Sequence, residues 1–157
     1  MRLEHFQMLD GVERIEPSGS IVAVARVPDR SPVFEGHFPG YPLMPGVLLL
    51  ETMAQASGYM LLALEDFRRM PFFANCREAN FRSFVAPGDQ LTIHANRLHD
   101  GSGYAVTQAA IHRGGKRVCD AQLMFRLVAF PSAGLERHVR EEGRRLGCLG
   151  SLHEPGQ

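Results

Sequence analysis

Two kinds of hydrophobic pattern divide the chain. Runs rich in β-branched and aromatic residues, each ended by turn formers, predict strands. Two such runs precede residue 36, the clearer being Ile21 to Val27, closed by Pro28. Four more follow Pro71, over 72–84, 90–98, 104–111 and 117–128, with PGD, HDGSG and HRGGK turns between them. The second pattern is different. From Val47 to Leu64 apolar residues lie almost all round a helical wheel, which predicts a helix from Pro45 or Gly46 to about Leu64, buried on nearly every side. A short amphipathic turn or helix is expected around Leu3 to Met8. One buried helix, with strands before and after it, predicts an α+β fold whose antiparallel sheet wraps the helix.

Between the early strands and the helix, residues 36–46 read GHFPGYPLMPG, with three prolines and three glycines in eleven positions. Proline removes a donor and fixes φ, and glycine permits positive φ, so this is a shaped loop and not a regular element. Residues 132–157 are a charged tail, expected to be flexible or to pack peripherally, with ERHVREEGRR able to form a short helix. The expected organisation is one domain over 1–131 and a tail over 132–157.

Composition narrows the classes. The chain of 157 residues, 45% hydrophobic, is long enough for one real core and too short for two ordinary domains. A formal net charge of zero gives no reason to expect nucleic acid or an anionic membrane as partner. The apolar helix carries Glu51, Gln55 and Gly58, so a core helix is expected and not a membrane span. Cys76, Cys119 and Cys148 form no CxxC pair, which suits a reducing cytoplasm and suggests neither disulfides nor zinc. Cys119 reads as a small buried hydrophobe. The charged N-terminus MRLEHFQMLD is unlike a signal peptide.

The chemistry concentrates in residues 34–55. A rigid loop presents His37 and then feeds a helix whose second turn holds a lone carboxylate, Glu51, among leucines. Gln55 is four residues on, shares its face and can orient it. A carboxyl in apolar surroundings favours the protonated form a general acid needs, while a histidine near its free pKa serves as a neutral base. Gly46 lets a carbonyl oxygen approach the unpaired N–H groups of the first turn. These parts suit proton abstraction beside a thioester carbonyl. The other histidines, His5, His94, His99, His112, His138 and His153, read as surface or structural. Phe72, Phe73, Phe81 and Phe84 read as core or tunnel lining.

The segment resembles the GHFPxxPxxPGVLxxExxAQ signature of the FabZ-type 3-hydroxyacyl-acyl carrier protein dehydratases, with every fixed letter met by residues 36–55. Residues 81–91 are similar to the family's FRxxVxPGDxL element. FabA-type enzymes place aspartate where Glu51 stands, so glutamate points to the FabZ branch. The resemblance implies a hot-dog fold. It implies that a (3R)-hydroxyacyl chain on acyl carrier protein loses water to give the trans-2-enoyl product. His37 would take the C2 proton and Glu51 would protonate the departing 3-hydroxyl. The Gly46 N–H would bind the thioester carbonyl, Gln55 would hold Glu51, and Phe38 and Val47 would lie beside the substrate. A homodimer is implied, with His37 of one subunit facing Glu51 of the other, often assembled as a trimer of dimers. No cofactor or metal is implied. ETMAQASG, HDGSG and VCDAQL further resemble dehydratases of very-long-chain hydroxy fatty acid synthesis for lipid A, where Ala54 and Gly58 would leave room for a long acyl tunnel. Arg68, Arg69, Arg77 and Arg82 are candidate contacts for the acidic carrier protein.

Two other classes compete. A hot-dog acyl-thioesterase would lack the GHFP loop, and a non-catalytic acyl-thioester sensor or scaffold would be expected to lose His37 or Glu51.

Overall fold

A computed structural model describes residues 1–149. Six strands form one antiparallel sheet: β1 Gly11–Glu16, β2 Ser20–Arg26, β3 Met70–Phe81, β4 Gln90–Gly101, β5 Tyr104–Arg113 and β6 Lys116–Val128. Their order is β1-β2-β4-β5-β6-β3, so β1 and β3 are the two edges. The long helix α2, Gly46–Leu64, lies in the concave face, preceded by the short α1, Pro32–Gly36, and followed after the sheet by α3, Ala133–Leu146. This is the hot-dog layout. A single 3-10 turn, Leu3–His5, stands where an N-terminal helix or turn is expected.

The inward-facing rows explain why the sheet wraps the helix. One row across four strands is Ile21, Ala95, Ala109 and Ala121, which are register partners in turn. Three alanines side by side leave the groove that α2 occupies, while Ile93, Ile111 and Leu123 close round it fully buried. The helix answers with Met53, Ala56, Met60 and Leu61, each at most 3% exposed. Truncating Met53 or Met60 to alanine in such a core costs about 2–5 kcal/mol. One polar contact fixes the helix register: Thr107 Oγ1 donates to Ser57 Oγ at 2.9 Å, both groups fully buried. Helix α2 has the length and composition to cross a membrane, but 61% of that span is buried inside the protein.

Three differences from the sequence reading have physical causes. Helix α1 arises where no helix is expected, because Ser31 caps it by accepting from Val33 N at 3.2 Å and Pro32 starts it. Phe72, Phe81 and Phe84 are not core; they are 55%, 48% and 75% exposed. They lie on or just beyond β3, an edge strand with no neighbouring strand on its outer side. Residues 133–146 of the charged tail form a full helix, capped by Ser132 at its start and by Gly147 in the left-handed region at its end. Leu146 at its end and Cys148 beyond it are buried. The expected flexible terminus after residue 149, and His153 with it, lies outside the described residues.

Candidate active site

The loop that presents His37 is held by reciprocal bonds. Leu43 N donates to His37 O at 3.0 Å, Phe38 N to Tyr41 O at 3.0 Å and Tyr41 N back to Phe38 O at 2.9 Å. Gly40, at φ 74°, makes that turn possible. The His37–Phe38 peptide is cis. Met44 N donates to Val85 O at 2.7 Å, which ties the loop to the PGD segment. That segment is itself locked: Asp89 accepts from Ala86 N at 2.9 Å and from Arg113 Nη1 at 2.9 Å. The two sequence elements singled out above are thus two halves of one rigid frame.

His37 Nδ1 lies 2.9 Å from Leu43 O. A carbonyl only accepts, so Nδ1 carries a proton and Nε2 is the nitrogen left to accept one. Stacking on Phe38, with ring centroids 4.1 Å apart, fixes the ring plane. Phe38 itself is half exposed.

Glu51 sits on α2, half-buried, and Gln55 Nε2 donates to its Oε1 at 3.0 Å. Gln55 is held in turn: its Nε2 also donates to Phe6 O at 2.6 Å and its Oε1 accepts from Met8 N at 3.1 Å. The N-terminal turn therefore acts as the back-stop of the Glu51–Gln55 pair. No sequence signal beyond the amphipathic Leu3–Met8 pattern pointed to that role.

Gly46 and Val47 open the helix, and among the described residues neither of their N–H groups has an acceptor; the carbonyl of Pro45 is taken by Leu48 N and Leu49 N. Both N–H groups lie at the positive end of the helix dipole. A side chain on Gly46 would lie 3.5 Å from the Phe81 ring, so the glycine keeps a slot open beneath that ring. Val47 is exposed.

A cavity of about 270 Å³ runs from Glu51 along α2, past Ala54 and Gly58 to Tyr59, with Phe73 and Val139 opposite. Burial first, and then the charge of Glu142, pushes the Tyr59 phenol up, so this wall stays uncharged. His37 does not line that cavity, and no hydrogen bond joins His37 to Glu51 within the chain. The structure brings together Glu51, Gln55, Ala54 and Gly58. It leaves half-buried His37 with Phe38, and exposed Gly46 with Val47, as separate groups.

Of the four arginines, Arg82 is paired with Asp120 at 2.8 Å and Arg69 with Glu65, while Arg68 and Arg77 are exposed. Cys119 is fully buried, as expected, and burial pushes its thiol up to about 12. Among the described residues no three His, Cys, Asp or Glu side chains gather as a metal site would need.

Residues 2–122 match the FabA-like domain family. The chain belongs to that family. Within it, the chain is 40% identical over 124 residues to a 3-hydroxyacyl-[acyl-carrier-protein] dehydratase FabZ of Symbiobacterium thermophilum, covering 78% of this chain and 87% of the relative. It is 38% identical to the FabZ of Pediococcus pentosaceus, over 74% and 79% of the two chains. Solved structures similar in shape are a hypothetical thioesterase of Streptococcus pneumoniae with coenzyme A, at TM-score 0.60 and 18% identity over 78% and 90% of the two chains, and the PaaI protein of Escherichia coli, at TM-score 0.60 and 18% identity over 74% and 81%. At that identity the likeness concerns the hot-dog fold alone. The FabA-like match contains the loop, Glu51 and the PGD segment, and ends before α3.

Proposed function

We propose that this FabZ-like chain dehydrates a (3R)-hydroxyacyl chain on acyl carrier protein to the trans-2-enoyl thioester, in the cytoplasm, as a step of fatty acid biosynthesis. His37 Nε2 removes a C2 proton, and the electrons move towards the thioester carbonyl. The Gly46 and Val47 N–H groups hold that oxygen while negative charge develops on it. The C3–O bond then breaks as Glu51 gives its proton to the leaving hydroxyl, so water departs and a C2–C3 double bond forms. Phe38 and Val47 flank the thioester.

The observation that carries this reading is the Leu43 bond to His37 Nδ1, which leaves Nε2 as a ready base within the same family segment as Glu51. Because His37 and the Glu51 cavity stand apart in one chain, the site is completed by a second copy. His37 of one protomer faces Glu51 of the other, the two β3 edges meeting between them, and dimers assemble further as a trimer. The finer assignment, to very-long-chain hydroxy acids for lipid A, draws support from Ala54 and Gly58 lining the cavity beside Glu51.

Hydration of a crotonyl thioester, followed by loss of enoyl absorbance, tests the reading. Wild type should be active and His37→Ala should not. A folded wild type inactive on crotonyl and on long-chain enoyl carriers would refute it.

A further inference from the structure

Helix α3 follows the FabA-like match, yet it is fixed firmly to the domain. A side chain at Gly143 would lie 2.6 Å from the Phe67 ring, so only glycine lets the helix come this close. Arg140 stands over the same ring, 5.8 Å from its centroid, and its Nη2 donates to Phe67 O at 3.3 Å. Leu146 and Cys148 are buried beyond. Half of the helix is charged, but Leu135, Val139, Gly143 and Leu146 form one inward stripe at helical spacing. Val139 is the member of that stripe that lines the Glu51 cavity.

The anchor at Phe67 places α3 by the end of α2 remote from Gly46. Gln55 and Tyr59 mark the boundary: both line the Glu51 cavity and also a second cavity of about 390 Å³ whose walls include Arg2, His138 and Arg145, and Tyr59 is the one further along α2 from Glu51. An acyl chain threaded past Glu51 runs along α2 towards that boundary. Glu51 and Leu62, which both line the cavity, are eleven residues apart on the helix, about 16 Å of rise. A four-carbon chain ends well short of this, and a long chain does not.

We propose that α3 forms the distal wall of the acyl-chain site, with Val139 as the residue that meets the chain end and sets the preferred acyl length. The proposal rests on the dehydratase reading of the Glu51 cavity. It makes α3 a specificity element appended to the family domain.

The test is kcat/KM on four-, ten- and sixteen-carbon enoyl thioesters for wild type, Val139→Phe and Val139→Ala, with thermal melting of each. Val139→Phe fills the wall and should cut the sixteen-carbon rate by about tenfold or more while leaving the four-carbon rate within about twofold. Val139→Ala opens the wall and should shift preference towards the longest substrate. If Val139→Phe fails to fold, the alanine variant decides. An unmoved length profile in a folded variant, with wild type active, overturns this inference alone. A folded wild type inactive at every length overturns the dehydratase reading and this inference with it.

Discussion

The two edges of the sheet are finished in opposite ways. β1 is six residues long and carries Glu13, Arg14 and Glu16, and the turn ending α3 comes against it, with the Cβ position of Gly147 3.6 Å from Val12 O. β3 is twelve residues long and shows Phe72, Phe73 and Phe81 to solvent. Bulges interrupt both strands, so length and apolar surface are what separate them. Charge, shortness and cover are how a protein closes an edge against other chains, and a long apolar edge left open calls for a partner. The open edge is also the one that touches the candidate site. Phe73 lines the Glu51 cavity and Phe81 stands over Gly46. On our reading, the unfinished edge and the unfinished site are one feature, both completed by a second copy.

Several changes would break or sharpen that contrast. The largest effect is expected from the site itself: His37→Ala and Glu51→Gln should each lower turnover by about 10²–10⁴-fold with unchanged circular dichroism. Charging the open edge through Ala74→Lys with Ala79→Lys, both positions exposed, should give a monomer by sedimentation. Its activity should fall by a similar factor if His37 and Glu51 must come from different protomers. The matching charges are already present on β1, where a further Val12→Lys should leave the mass unchanged.

A smaller loss is expected at the helix start. Pro45 has φ −60° and ψ 136°, the extended conformation that a residue before proline adopts. Gly46→Pro therefore suits the first helical position, and comparison with Gly46→Ala, which places the same Cβ near Phe81, brings out the loss of the N–H. It should keep the melting temperature close to that of Gly46→Ala, yet lower kcat by about 10²–10³-fold.

The smallest effect concerns how the open strand is pinned to its neighbour. Burial pushes the Asp120 carboxyl up, but hydrogen bonds from Asn80 and Arg82 and the charges of Arg82 and Arg117 outweigh it, so the net shift is downward. A depressed carboxylate stabilises the fold above its unfolded pKa, and that contribution is lost as pH falls through the folded value. Asp120→Asn should then cost about 1 kcal/mol at neutral pH, Arg82 being half exposed and its pairing partly screened. In pH-dependent melting the gap between variant and wild type should close below about pH 3.9.

Most of the fold is legible along the chain because burial leaves a periodic trace. An all-round apolar stretch becomes α2 over Gly46–Leu64, and the strands after Pro71 fall within a few residues of expectation. The candidate site is legible for another reason: the Pro/Gly loop and Glu51 form one contiguous segment. What the pattern hides is whatever depends on who the neighbour is. Phe72 and Phe81 look like core residues, since hydrophobicity does not tell an inner strand from an edge. Helix α3 looks like a solvated tail because its docking rests on a missing side chain, at Gly143, more than on apolar ones. The hold of Phe6 and Met8 on Gln55 joins residues 49 and 47 positions apart, through backbone groups that carry no sequence signal.

Mixing His37→Ala with Glu51→Gln, each inactive alone, tests the shared site most directly. Random exchange makes half the dimers mixed, each with one intact site of two, so activity should return to about a quarter of wild type. Persistent inactivity after exchange has been verified with differently tagged subunits would contradict a site built across the β3 edge.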